Sequence, residues 1–314
     1  MNIRQSYIYR NLGTYIFLLI MGIVVLFPLV ITFSQSLMTN QQVNRWPPPI
    51  LPATPTLDAY NTVFTQPDLR LVQWLGNSIY AAAAYTLAVL AICTPAAYAF
   101  ARLRFPGRNI LFSLLLITVM IPSQVTLIPN FLVMKDLKFL DTFNALIWPG
   151  AANVFGVFLL RQFFQQIPQE LEEAAILDGA TYWGRFRHVI LPLSTNAITA
   201  LAILVFLGHY NDLLWPFITM NSLEKRTLPV GLQILNSAYA GSFRPIVLAG
   251  SVFATVPIVV FYIIFQRRII KGVTMTGMGG RQTQHRFVFK GNNQSCVYNS
   301  LWQDRGSSKS ILRG

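Results

Sequence analysis

Glu170-Leu171-Glu172-Glu173-Ala174-Ala175-Ile176-Leu177-Asp178-Gly179-Ala180 is the longest charged patch in an otherwise oily chain. Four of the eleven acidic residues fall between Glu170 and Asp178. On either side run apolar segments with too little charge to be anything but membrane spans. A charged, helix-forming island between two spans reads as a surface made for a partner outside the membrane.

Local chemistry makes the island two short helices. Pro168 suits the first helical position, where its missing N–H costs nothing. Glu170, Glu172 and Glu173 sit in or near the first turn and complement the helix dipole by about 0.3–1 kcal/mol each. Leu171, Ala174, Ala175 and Asp178 share one face at helical spacing. Gly179 is a stop signal, because glycine accepts a left-handed backbone cheaply. A second short helix is expected over Tyr182–Val189, and Pro192 then opens the next span. An amphipathic connector resting on lipid headgroups is the competing reading. Three glutamates argue against it, since an inner leaflet is itself negative.

Composition agrees. Of the 314 residues 54% are hydrophobic and only 11% charged, with mean hydropathy +0.48. A soluble domain carries about 25% charged residues. The net charge of +13 does not imply nucleic acid, because the basic residues punctuate the ends of apolar runs rather than form one face. Cys93 lies in an apolar run and Cys296 in a polar tail, so neither a disulfide nor a zinc site is expected.

Six spans follow from the apolar runs. Leu12–Phe33 gives about 22 mostly apolar positions, enough to cross ~30 Å and too long for a signal peptide. The proline-rich run Trp46–Pro55 is an extended loop, and Thr56 is a possible cap for a short surface helix. The second span lies between Arg70 and Arg102, with an alanine run at Ala81–Ala84 suited to close packing in lipid. The third fills the gap from Arg108 to Lys135, and Pro122 and Pro129 mark a kink or an end. The fourth is short, about 19 residues from Thr142 to Leu160. The fifth begins at Ser194 and runs to Tyr210, and the sixth runs from Pro245 to Gln266. With both termini in the cytoplasm, lysine and arginine are richer on the inner segments than on the outer ones. The island then lies inside, between spans four and five. Residues 1–280 form one membrane domain. Residues 281–314 are polar and basic and are expected to be disordered.

Few polar residues inside the spans are candidates for a substrate pathway. Gln124, Asn153, Tyr210 and Asn211 carry groups suited to sugar hydroxyls, though such groups also bond neighbouring helices. His209 and Asp212 lie near the outer part of span five, where they can cap the helix or face water.

The run Glu173-Ala174-Ala175-x-x-Asp178-Gly179-Ala180, with Ile190-x-Pro192 downstream, closely resembles the EAA loop of ABC importer permeases. Met120–Pro129, Phe155–Gln162, Asn211–Pro216 and Arg226–Leu232 are similar to the carbohydrate-uptake branch, the maltose- and glycerol-phosphate-type inner-membrane permeases. The resemblance covers roughly residues 10–280, and the tail from Arg281 departs from the pattern. It implies an all-α, polytopic, six-helix type I importer fold in a bacterial inner membrane. It also implies a second permease subunit, two cytoplasmic ATPase subunits, an extracytoplasmic solute-binding protein and surrounding lipid as partners. Glu172, Glu173, Ala174, Ala175, Asp178, Gly179 and Ala180 would couple to the ATPase, with Glu173 as the charged contact. No cofactor or metal is implied in this chain, and ATP would be used by the partner: no phosphate-binding glycine loop is present. A self-contained secondary transporter would need ion-coupling acids at mid-membrane, and none stands clear of a helix end. A membrane enzyme would need a histidine cluster, yet His188, His209 and His285 are scattered.

Overall fold

The computed structural model describes the backbone of residues 12–277 and the side chains of residues 12–266. The expectations for the tail 281–314 and for the position of both termini lie outside those residues. The principal helices are α1 (Leu12–Ser36), α2 (Leu71–Arg102), α3 (Arg108–Val119), α4 (Ser123–Asp136), α5 (Val154–Gln166), α6 (Gln169–Leu177), α7 (Tyr182–Arg185), α8 (Thr195–Tyr210), α9 (Leu228–Tyr239) and α10 (Arg244–Gly277).

Three helices are long and apolar enough to cross a membrane singly: α1, α2 and the Arg244–Gln266 part of α10. The pair α3 and α4 qualifies together across a 99° bend, and Tyr182–Leu193 with α8 qualifies across a 75° bend. Proline explains the first bend. Pro122 is the N-cap of α4 and cannot continue the hydrogen-bond ladder of α3.

The axis is α2. Its 32 residues span about 48 Å, longer than a bilayer's hydrocarbon core. Near its C-terminal half Val89, Cys93 and Ala97 pack with Val157, Leu160 and Phe164 of α5 and with Leu201 of α8. Near its N-terminal half Leu71 and Trp74 pack with Leu228 and Leu235 of α9 and with Ile246 and Ala249 of α10. Ala81 and Ala82, within the alanine run, are fully buried. Helix α1 lies along α10 and leaves most of its apolar surface exposed, as a lipid-facing helix does.

The expected span over Thr142–Leu160 is not one helix. A short turn at Asn144–Ile147 ends at Trp148-Pro149-Gly150, and α5 starts only at Val154 and runs on to Gln166. Pro149 cannot donate, and Gly150 takes a left-handed φ of 77°. The break leaves backbone carbonyls without helical partners, and side chains distant in sequence satisfy them. Trp215 Nε1 donates to Ala145 O at 2.7 Å and His209 Nε2 to Leu146 O at 2.9 Å. Tyr85 Oη donates to Gly150 O at 3.0 Å, and the Cys93 thiol reaches Ala151 O and Asn153 O at 3.8 and 3.3 Å. The rings of Tyr85 and His209 stack with centroids 4.4 Å apart. Non-helical backbone survives here because α2, α8 and the segment after α8 supply its donors.

At the other end of α2 from Arg102, a polar latch joins Asp141 to residues 221–225. Asp141 accepts from the N–H groups of Asn221 and Ser222 at 3.1 and 2.9 Å and from the Ser222 hydroxyl. Lys225 Nζ lies 3.4 Å from its carboxylate.

Candidate functional site

The island folds as its residues dictate. Pro168 serves as N-cap of α6, one position earlier than expected. Glu170 and Glu172 lie in the first turn, where they face the positive end of the dipole. The helix closes with two backbone bonds. Gly179 N–H reaches Ile176 O and Ala180 N–H reaches Ala175 O, both at 2.9 Å. Gly179 has φ 81°, which lets both carbonyls be capped at once. Thr181 then caps α7, its hydroxyl accepting from Gly184 N–H at 3.2 Å. The second helix passes through a π-turn at Phe186–Ile190 and a last turn at Leu191–Leu193. The turn between the two helices is therefore closed by its own hydrogen bonds.

The seven sequence-assigned residues divide into two sets. Glu173, Ala174, Asp178 and Gly179 are exposed, and Ala175 and Ala180 are half-buried. Glu172 is different: it is buried, with 7% of its surface exposed. Its carboxylate lies 3.0 Å from Arg102 Nε and 3.9 Å from Arg185 Nη1. Tyr98 Oη donates to it at 3.4 Å. Glu172 thus points into the protein, away from the exposed face of the island. The exposed face instead gains Leu177 at 88%, Tyr182 at 66% and Trp183 at 63%. Sequence reasoning passed over these three, although large apolar residues beside charged ones on short helices are a signal of a covered surface. Glu173 and Leu177 stand one turn apart on the same face of α6.

The four pathway candidates sit in different settings. Gln124 is exposed at the start of α4. Asn153 caps α5, its Oδ1 accepting from Gly156 N–H at 2.7 Å. Asn211 Nδ2 turns back to Leu207 O at 2.9 Å. Tyr210 is buried, with a hydroxyl that has no hydrogen-bond partner. Open cavities of about 550 and 340 Å³ lie elsewhere, at Arg104–Ile110 and between Met38–Gln41 and Phe243. Among the described residues no group of three or more His, Cys, Asp or Glu is placed to hold a metal ion.

Long apolar helices and bent helix pairs, with a charged helix pair at one end, define a polytopic membrane protein. The family comparison is specific: the chain belongs to the binding-protein-dependent transport system inner membrane components, whose family model matches residues 93–274. It is 38% identical over 229 residues to the arabinooligosaccharides transport system permease protein AraQ of Halalkalibacterium halodurans, covering 73% of this chain and 81% of that one. It is 33% identical over 266 residues to the sn-glycerol-3-phosphate transport system permease protein UgpE of Brucella abortus, covering 82% and 94%. Among solved structures it is similar to a chain of a bacterial ABC transporter involved in the import of the acidic polysaccharide alginate. That match has TM-score 0.73 and 25% identity and covers 85% of this chain and 98% of the other. The all-α, polytopic importer-permease fold expected from the island is the one this family has.

Proposed function

We propose that this chain is the membrane permease subunit of an ATP-driven sugar importer. It forms half of a translocation pathway with a second permease subunit. An extracytoplasmic solute-binding protein delivers the substrate, and two cytoplasmic ATPase subunits supply the energy. The segment 168–192 is the coupling loop, so the end of the bundle carrying Arg102 and α6 faces the cytoplasm, and both termini lie on that side. ATP hydrolysis belongs to the partner.

The observation that carries this reading is the preformed loop. Its turn is closed by two backbone hydrogen bonds at Gly179 and Ala180, and its outer face presents Glu173, Ala174, Leu177 and Trp183. Small residues beside a bulky apolar one make a ridge that fits a groove, and the exposed glutamate adds a charge to read. A surface of this kind suits a partner that pushes on it and leaves its shape unchanged.

Purification in mild detergent from the native membrane is the test. The wild-type chain should bring down a soluble ATPase, and Leu177→Asp should lose it. Gly179→Pro, which forces φ to about −65°, should leave the chain in the membrane but abolish transport. A wild-type preparation without any ATPase, or full transport by Gly179→Pro, would sink the reading.

A further inference from the structure

The deepest charge cluster in the described residues lies behind the docking face. The side chains of Arg102, Glu172 and Arg185 are 6%, 9% and 13% exposed. Glu172 Oε1 faces Arg102 Nε at 3.0 Å, and Oε2 faces Arg185 Nη1 at 3.9 Å and Tyr98 Oη at 3.4 Å. Arg102 is the last residue of α2. Its Nη2 also donates to the carbonyls of Phe164 and Ile167, where α5 ends. Arg185 lies over the Tyr182 ring, 4.4 Å from its centroid, and Tyr98 Oη reaches Tyr182 O at 3.5 Å. Four elements therefore meet at one carboxylate: α2 through Arg102 and Tyr98, α5 through Arg102, α6 through Glu172 itself, and α7 through Arg185.

The covalent chain already ties α6 to α5, because only Ile167 and Pro168 separate them. Nothing covalent ties α6 to α2, the axis of the bundle. Glu172 is the side chain of α6 that makes this connection, while the second helix of the loop reaches α2 separately, its Phe186 ring 5.1 Å from that of Tyr98. Parting a buried ion pair leaves a charge uncompensated away from water, so the partners tend to move together.

We propose that Glu172 is a positioning residue that carries motion of the coupling loop into α2, and that it is not a contact for the ATPase. This rests on the reading of segment 168–192 as the coupling loop. Glu173, one residue on and exposed, meets the partner, while Glu172 holds the loop to the pathway helix. A loop pushed by the ATPase then displaces α2 and α5 together.

The experiment uses the complete transporter in proteoliposomes, with Glu172→Gln, Glu172→Asp and Glu173→Gln compared with wild type. Two quantities are read: ATPase retained on the purified membrane complex, and substrate transported per ATP hydrolysed. Glu172→Gln should keep the ATPase at the wild-type ratio while transport per ATP falls about tenfold, a typical coupling free energy expressed as a ratio. Glu172→Asp, which keeps the charge, should recover most of that loss. Glu173→Gln should weaken ATPase retention instead. Should Glu172→Gln fail to accumulate, Arg185→Gln is read in its place and should show the same split with a smaller fall. Loss of the ATPase in the Glu172 or Arg185 variant, or transport per ATP equal to wild type, overturns the proposal. Failure of the wild-type complex to hold an ATPase overturns the coupling-loop reading instead, so the two failures are distinct.

Discussion

The six-membered ring of Trp74 lies so close to Gly231 that a β-carbon added to Gly231 would sit 1.9 Å from Trp74 Cε3. Trp74 is fully buried, and its Nε1 donates to Leu223 O at 2.7 Å, so the ring cannot swing away without losing that bond. Helix α9 approaches α2 this closely only because residue 231 has no side chain. Gly231→Ala should therefore overpack the joint and cost about 1–3 kcal/mol. A thermal unfolding midpoint in detergent indistinguishable from wild type would refute it.

The broken segment before α5 gives a second expectation. Tyr85→Phe keeps the ring on His209 but strips the donor from Gly150 O, and His209→Leu strips it from Leu146 O. Each should destabilise by about 1 kcal/mol, the scale of hydrogen bonds measured between membrane helices. The two rings are stacked, so the double variant should depart from additivity. Unfolding of the four proteins of that cycle in one detergent supplies the measurement.

Acid should loosen the Asp141 latch. Partial burial pushes this carboxyl up, but the hydroxyl and N–H of Ser222, Lys225 and the N–H of Asn221 outweigh it and hold the group below its ordinary value near 3.8. A depressed carboxylate stabilises fully above its unfolded pKa, and that contribution is lost as pH falls through the lower folded value. The stabilising contribution of Asp141 should thus be constant at neutral pH and decline only below about pH 4. Asp141→Asn should remove this part of the acid dependence. An acid titration of unfolding that is the same for both proteins would contradict the assignment.

Sidedness can be read at Leu177, the most exposed large apolar side chain of the island. In a background with Cys296 replaced by serine, Leu177→Cys should react with a membrane-impermeant maleimide in inside-out vesicles and not in intact cells. Cys93, fully buried, should stay silent in both. Labelling of the Leu177→Cys variant in intact cells would invert the proposed topology.

Much of this architecture was legible in the chain. The extents of α1, α2 and the Arg244–Gln266 part of α10 follow from apolar runs between charges, although α10 itself continues past Arg267 and Arg268 to Gly277, and the stop at Gly179 follows from one residue's conformational freedom. The break before α5 was hidden because hydropathy averages over Trp148-Pro149-Gly150 and treats the surrounding apolar residues as one span. What makes the break tolerable, donors at Tyr85, Cys93, His209 and Trp215, sits tens of residues away in sequence. The inward turn of Glu172 was hidden for a related reason. Composition sets it beside Glu173 as one more helix-start carboxylate, but adjacent residues on a helix point in different directions, about 100° apart. Only the position of Arg102, far earlier in the chain, decides which of them turns inward.

Helix α5 has thirteen residues and is fastened to α2 at both ends. The Cys93 thiol holds the backbone just before it, and Arg102 holds the carbonyls where it ends. Two rods pinned at two points behave as a splint. The pair moves as one unit, and Pro95, between Cys93 and Arg102, is where the α2 side of it lacks a helical hydrogen bond and can bend.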